Sequence, residues 1–382
     1  MIARVRTALA ELGADAWMAH DFAGSNPPAR EALGLAQAHL TRRFFYFVPR
    51  EGAPWLVAAA LEADRFAHLP GEVAPYRSRL ELLAALERAV ERWPRLAVPL
   101  APGGHVPYLD RLGAGLADLL RGLGAELVSD AAVLLALARW SPEDLAAHRR
   151  AAAGLAAARD AALAFLRRRL PNDPPRELEV QAVLVRAIEA AGLVFDHPPI
   201  VAFGDHAARP HYAPAPGRDR RLAPGEVVLL DLWGQEPGRP YADITWMAGW
   251  AAPPAAHRAF DAVARARDAV VRALARPGRR YRGFELDRIA REVLTAAGYR
   301  DAILHRTGHS LGRRSPHGDA THLDDLETHD TRSLLPGLGF TVEPGVYPGP
   351  FGVRSEINVY LSEEGPRVTT DVEAGLEELA PP

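Results

Sequence analysis

The strongest constraint on this chain is a pair of acids set inside an apolar strand-like run, and it occurs twice. Residues 226–233 (EVVLLDLW) read as a strand with Asp231 embedded in it. The turn-forming stretch 235–240 follows, and residues 241–250 (YADITWMAGW) alternate again around Asp243. A hairpin centred on Pro237 sets Asp231 opposite Asp243, with Cβ atoms roughly 4.5–5.5 Å apart. Residues 339–347 (GFTVEPGVY) and 352–361 (GVRSEINVYL) flank a second turn, which places Glu343 nearly opposite Glu356. Buried carboxylates that close repel each other unless a proton or a cation sits between them. One strand acid is as readily a solvated face charge; four in two matching hairpins favour a cation site.

Imidazole supplies a further donor type. Five of the 14 histidines fall between His305 and His329, in HRTGHSLGRRSPHGDATHLDDLETH. Carboxylates with imidazole suit Mn, Co, Fe or Zn rather than soft-metal chemistry. Two ions about 3.5–4 Å apart need bridging carboxylates and activate water at neutral pH. Such water could attack a peptide carbonyl. The chain has no cysteine, which excludes disulfides, thiolate zinc, iron–sulfur clusters and a cysteine nucleophile. All 45 of its Lys+Arg residues are arginine. A P-loop and a pyridoxal Schiff base both need lysine, so both are excluded.

At 382 residues the chain is too long for one ordinary core, and two domains are expected, at 1–135 and 136–382. Strands are predicted at 15–20, 43–49, 54–60 and 95–100, and helices near 2–12, 78–92 and 108–123, giving a small α/β first domain. Residues 21–43 read as a long loop. Ser141-Pro142-Glu143-Asp144 is a strong helix start, and the helix it opens runs to about Arg169. Further helices are expected at 177–191, 254–275 and 283–297. The formal net charge of -3, with both signs mixed, argues against a nucleic-acid surface. No run is long and apolar enough for a membrane span, and residues 1–17 read as an amphipathic helix rather than a signal peptide, so a cytoplasmic protein is expected.

These motifs resemble those of the pita-bread metallopeptidases: methionine aminopeptidase, prolidase, aminopeptidase P and the metal-free creatinase. The resemblance covers roughly 142–366. DLWGQEPGRPYAD resembles the family's carboxylate motif, which implies Asp231 as a terminal ligand and Asp243 as a bridge. HRTGH resembles its His–x–x–Gly–His motif, with His309 as the metal-binding imidazole. TVEPG implies Glu343 as a ligand and proton shuttle, and GVRSE implies Glu356 as the second bridge. His211, ending IVAFGDHAARPH, and His317 resemble the family's substrate-site histidines. They would hold the scissile carbonyl and the departing nitrogen. Arg354 is expected to pair with an Asp or with a substrate carboxylate. His305, His322 and His329 receive no assignment beyond a polar or structural role.

The resemblance therefore implies an α/β N-terminal domain of creatinase type and an α+β pita-bread catalytic domain. It implies two divalent ions, Mn, Co or Zn, and a homodimer whose first domain walls the cleft. The implied reaction is hydrolysis of the N-terminal peptide bond of short peptides, with Xaa-Pro peptides as the leading class and a broad aminopeptidase as the alternative. Neither nucleic acid nor membrane is expected as a partner. Departures from the pattern bear on selectivity. The gaps Asp231–Asp243 and His309–His317 are each one residue longer than usual. Ile357 stands where relatives often have Asp, and DFAGSNPPAREALG replaces the prolidase-like Asn–x–x–Tyr–Leu–Thr–Gly segment. Two rival readings remain: a catalytically silent peptide-binding relative, and a serine esterase using Ser310 in GHSLG, a match to the G-x-S-x-G elbow.

Overall fold

In the computed structural model, which describes residues 1–379, strands β1 (Ala16–Asp21) and β2 (Phe44–Pro49) are buried at every position. Burial of both alternating faces marks strands that are covered on both sides of the sheet. With β3 (Trp55–Ala59), β4 (Glu72–Tyr76), β5 (Arg95–Val98) and β6 (Glu126–Ser129) they form one sheet in the order β4-β3-β2-β1-β5-β6. The β1–β2 and β2–β3 pairs are antiparallel and the remaining pairs parallel. Trp17, Ala19, Phe44 and Tyr46 pack on one face with α1 (Ile2–Leu12) and α2 (Pro27–Ala32). Ala16, Met18, Phe45 and Phe47 pack on the other with α3 (Arg79–Arg92) and α4 (Ala114–Gly122). A further helix, α5 (Ala131–Ala138), closes this first unit, which spans Met1–Ala138.

Residues 21–43, expected as loop, contain α2. Two consecutive prolines disguise it in the sequence, yet proline is favoured in a first helical turn, and the Asn26 side chain accepts from Ala29 N.

The second unit begins at Arg139. Its first helix, α6 (Pro142–Arg169), opens with a capping box: Asp144 N donates to Ser141 Oγ at 3.1 Å and Ser141 N to Asp144 Oδ2 at 2.8 Å. After α7 (Glu177–Ala190) come β7 (Ile200–Phe203), β8 (Glu226–Gly234) and β9 (Ala242–Trp250), then α8 (Pro254–Leu274) and α9 (Gly283–Ala296). The chain finishes with β10 (Gly339–Val342), β11 (Gly345–Val346), β12 (Val353–Arg354), β13 (Ile357–Ser362), β14 (Gly365–Val368) and β15 (Glu377–Glu378).

Strand alternation sorts the β8–β9 hairpin. Val228, Leu230 and Leu232 face a core shared with α6 and α7. Val227 and Leu229 face the core shared with α8, α9 and the β10–β13 strands. Asp231 and Asp243 therefore fall on the second face, at the end where the apolar residues stop. Asn358 on β13 ties the two strand systems together. Its Oδ1 accepts from Asp243 N at 3.0 Å, and its Nδ2 donates to Asp243 O.

The register of the first hairpin corrects the sequence reading. Asp231 pairs with Thr245, and Asp243 with Trp233. The connecting segment takes in Tyr241, whose N–H is bound to Gly312 O, so the loop is centred on Gly238 (φ 74°) and not on Pro237. The shift moves the partner by two positions. Two is the strand period, so both acids keep the same face as diagonal neighbours. In the second hairpin the pairs Val342↔Ile357 and Gly345↔Arg354 bracket Glu343 and Glu356 at one common step. Among the described residues, no helix is long and apolar enough to cross a membrane.

Candidate metal centre

Five segments deliver five donor side chains to one cavity of about 540 Å3, which Asp231, Asp243, His309, Glu343 and Glu356 all line. Asp231 comes from β8 and Asp243 from β9; Glu343 follows β10, and Glu356 lies between β12 and β13. His309 sits on a coil laced to β10: its N–H donates to Thr341 Oγ1 at 2.9 Å, and its carbonyl accepts from Thr341 N at 2.8 Å. That close approach explains the glycine of the His–x–x–Gly–His run, because a Cβ on Gly308 would lie 2.2 Å from Thr341 O.

Donor atoms of Asp243, His309 and Glu356 lie within 4.8 Å of one another. Glu343 joins them through Oε1, 3.2 Å from His309 Nε2, while Asp243 Oδ2 is 3.6 Å from the same nitrogen. The His309 Nδ1 lies 3.1 Å from Ser310 O, which fixes the tautomer with Nδ1 donating. Burial first, then the Arg306 guanidinium, lowers the His309 pKa to about 3, so the ring is neutral. The Nε2 lone pair then faces carboxylate oxygens on two sides, an arrangement that is repulsive without a cation between them.

The acids tell the same story. Burial, then the charges of Glu356, Asp231 and Glu343, pushes the Asp243 pKa well up. Burial, then Glu343 and Asp231, does the same to Glu356. Asp231 is also raised by burial, against the opposing pull of Arg354. Asp243 Oδ1 is buried with no hydrogen-bond partner among the described residues. An orphaned carboxylate oxygen in this setting is a costly defect unless it serves a ligand. The donor set of hard oxygens and one imidazole fits divalent ions of the Mn, Co or Zn kind.

Two threonines orient the acids. Thr341 Oγ1 donates to Glu343 Oε1 at 3.0 Å. Thr245 Oγ1 donates to Glu356 Oε2 at 2.8 Å and accepts from Arg354 Nε at 2.8 Å. The other end of the Arg354 guanidinium bonds to Asp231. Of the two partners left open for Arg354, the structure records the site aspartate. The sequence reading missed both threonines. Thr341 stood within a quoted motif without a role, and Thr245 was hidden by the misplaced register.

His211 and His317 line the same cavity. A short return loop brings Gly318 N to Ser310 O at 2.7 Å and sets the His317 ring 4.1 Å from that of His309. The neighbouring His309, then burial, lowers the His317 pKa to about 3. His305, unassigned from sequence, also lines the cavity; its Nε2 lies 2.8 Å from Tyr347 Oη. Burial lowers its pKa to about 4. His322 is buried behind His309 and accepts from Ser310 N at 2.9 Å through Nδ1, and His329 packs on Phe284 beside Asp325. Ser310 is 1% exposed, with Oγ accepting from Ala320 N at 3.0 Å, and no helix follows it. The nucleophile elbow is therefore absent, which corrects the esterase alternative.

Comparison with known proteins follows the same lines. An uncharacterized peptidase of Staphylococcus saprophyticus is 36% identical over 176 residues, covering 46% of this chain and 47% of the relative. The chain thus aligns with about half the length of the curated relatives it matches. The dipeptidase PepE from Mycobacterium ulcerans has a similar structure, with a TM-score of 0.74 and 26% identity over 100% of this chain and 97% of that one. An Xaa-Pro dipeptidase from Bacillus anthracis, at 21% identity, shares the fold with a TM-score of 0.67 over 98% of both chains. Residues 146–363, which contain all five donors, match metallopeptidase family M24, and the chain belongs to that family.

Proposed function

We propose that this protein is a metal-dependent exopeptidase that hydrolyses the N-terminal peptide bond of short peptides, with Xaa-Pro peptides as its leading substrates. The observation that carries the reading is the crowding of four carboxylates around a neutral imidazole in one cavity, with a buried carboxylate oxygen left unpartnered. Asp231, Asp243, His309, Glu343 and Glu356 would hold the ions through their carboxylate oxygens and the His309 imidazole. Bound there, two divalent ions supply Lewis-acid polarisation of the scissile carbonyl and lower the pKa of water.

The chain's own groups do the rest. Glu343, oriented by Thr341, accepts the proton of the attacking water and returns it to the departing nitrogen. His317, held neutral beside His309, donates toward the developing negative charge on the carbonyl oxygen. His211 orders the leaving side. Arg354 balances the charge of Asp231, with which it is paired.

The test is a peptide panel read by mass spectrometry after chelation and reloading with Mn, Co or Zn. Xaa-Pro dipeptides, Xaa-Pro-Xaa peptides and non-proline peptides of equal length are compared. Cleavage of Xaa-Pro bonds, lost on chelation and restored by metal, is the expected result. Cleavage of non-proline peptides alone would refute the proline preference, and metal-independent cleavage would refute the centre.

A further inference from the structure

A second chamber of about 850 Å3 adjoins the carboxylate cavity. The two share Pro210, His211, His305 and Glu327, so a peptide extending past His211 from one enters the other. The chamber's wall is rigidly built. Buried Glu177 accepts from Phe203 N at 2.8 Å, Tyr212 Oη at 2.6 Å and Arg220 N at 3.1 Å. The same carboxylate holds His206 Nδ1 at 2.9 Å, and the His206 and Tyr212 rings stack with centroids 4.2 Å apart. Arg176 clamps the following segment through both oxygens of Asp219.

Charge distinguishes this chamber from the first. Its one acid among the described residues, Glu327, has Arg306 at 3.8 Å. Arg209 and Arg218 also line it, and among the described residues neither has a carboxylate at ion-pair distance. Nearby arginines are spent: Arg176 on Asp219, and Arg220 on Asp205 and Glu226. Two exposed guanidinium groups on the lining of this chamber, with no carboxylate at ion-pair distance among the described residues, form a receptor for a carboxylate.

We infer that Arg209 and Arg218 bind a carboxylate carried by the substrate on the leaving side, one residue beyond the residue that follows the scissile bond. This rests on the peptidase reading above. The carboxylate is either the free C-terminus of a tripeptide or the side chain of an Asp or Glu at that position. The enzyme therefore prefers Xaa-Pro-Xaa acids to their uncharged counterparts.

The experiment compares wild-type protein with the R209Q/R218Q double variant on four peptides: Ala-Pro-Ala as free acid and as C-terminal amide, and the amides of Ala-Pro-Glu and Ala-Pro-Gln. Both arginines are exposed, so the substitutions do not disturb a core. With metal-loaded protein, KM for a carboxylate-bearing peptide should fall roughly tenfold below that of its neutral partner, and the double variant should erase the difference. A free-acid preference alone assigns the chamber to the chain terminus; a Glu-over-Gln preference alone assigns it to an acidic side chain. Titration calorimetry of the chelated protein with the same peptides needs no turnover. Wild-type protein that binds the acid more tightly yet cleaves nothing would remove the peptidase reading and leave the subsite standing. Equal binding of acid and amide, including none of either, or a preference that survives in the double variant, overturns the inference.

Discussion

Replacing Asp243 by Asn should make the metal-free protein more stable at high pH while abolishing its stabilisation by metal. Donor oxygens of Asp243 and Glu356 lie within 4.8 Å. At that spacing, with an effective dielectric of about 20, two full charges repel by about 3 kcal/mol. Both carboxyls are held above their ordinary pKa by burial first, then by Glu356 in the case of Asp243 and by Glu343 in the case of Glu356. A carboxyl raised on folding binds its proton better in the folded chain than in the unfolded one. Its stabilising effect is therefore complete below the ordinary carboxylate range near pH 4 and is lost as the pH climbs through the raised values. At a pH above those raised values the chelated wild-type protein bears the repulsion. The Asn variant does not, and its amide can donate to Glu356. The expected gain is about 2 kcal/mol, or roughly 4–8 °C for a unit of this size. As the pH falls through those raised values toward the ordinary carboxylate range, a retained proton relieves the wild type and the gap should close. Adding Mn at about 100 times its Kd stabilises the wild type by about 2.7 kcal/mol and the variant by far less, which inverts the ranking. The assay is thermal and urea unfolding as a function of pH, with chelator and with metal. A variant less stable than wild type in chelator at a pH above the raised values would refute the electrostatic reasoning.

Glu343→Ala should lower kcat by at least ~100-fold on every cleaved peptide, as loss of a general base does; near-normal turnover by mass spectrometry would rule out its assigned role. Thr245→Val removes the hydroxyl shared by Glu356 and Arg354. It should weaken metal affinity by roughly 10–100-fold in competition with a fluorescent chelator while the fold, read by circular dichroism, is kept. In the first unit, buried Asp130 accepts from Trp17 Nε1 at 3.1 Å, and burial raises its pKa to about 6. Stability should therefore fall by about 3 kcal/mol as the pH rises from about 4 through 6. Asp130→Asn should flatten that slope in urea titrations, and an unchanged slope would assign it to other groups.

Legibility in the sequence tracked how much local chemistry each element carries. The α6 helix announces itself through Ser141, Pro142 and Asp144, whose bonds do not depend on the rest of the fold. The carboxylate hairpins were legible because acids inside apolar runs are conspicuous, and the structure does bring those acids to one cavity. Register was not legible to the residue, since it depends on Tyr241 being drawn into the loop by Gly312, far away in sequence. The strands of the first unit that went unread, β4 and β6, are the two edges of their sheet. Edge strands bury less, so EVAPY and ELVS carry little apolar pattern. Helix α5 (AAVLLALA) was passed over as a boundary because it is apolar all round and too short to display a period. The place of His305 in the cavity follows from its contact with Tyr347, 42 residues along the chain, which no local spacing reveals.

The two-point grip of Asn358 on the peptide group of Asp243 has a consequence for how ions arrive. The grip uses no carboxylate oxygen, so it persists whether or not an ion is bound, and it fastens one acid-bearing strand to the other. Loading then requires no rearrangement of the main chain. An incoming cation would meet acids whose main-chain spacing protein bonds alone have set.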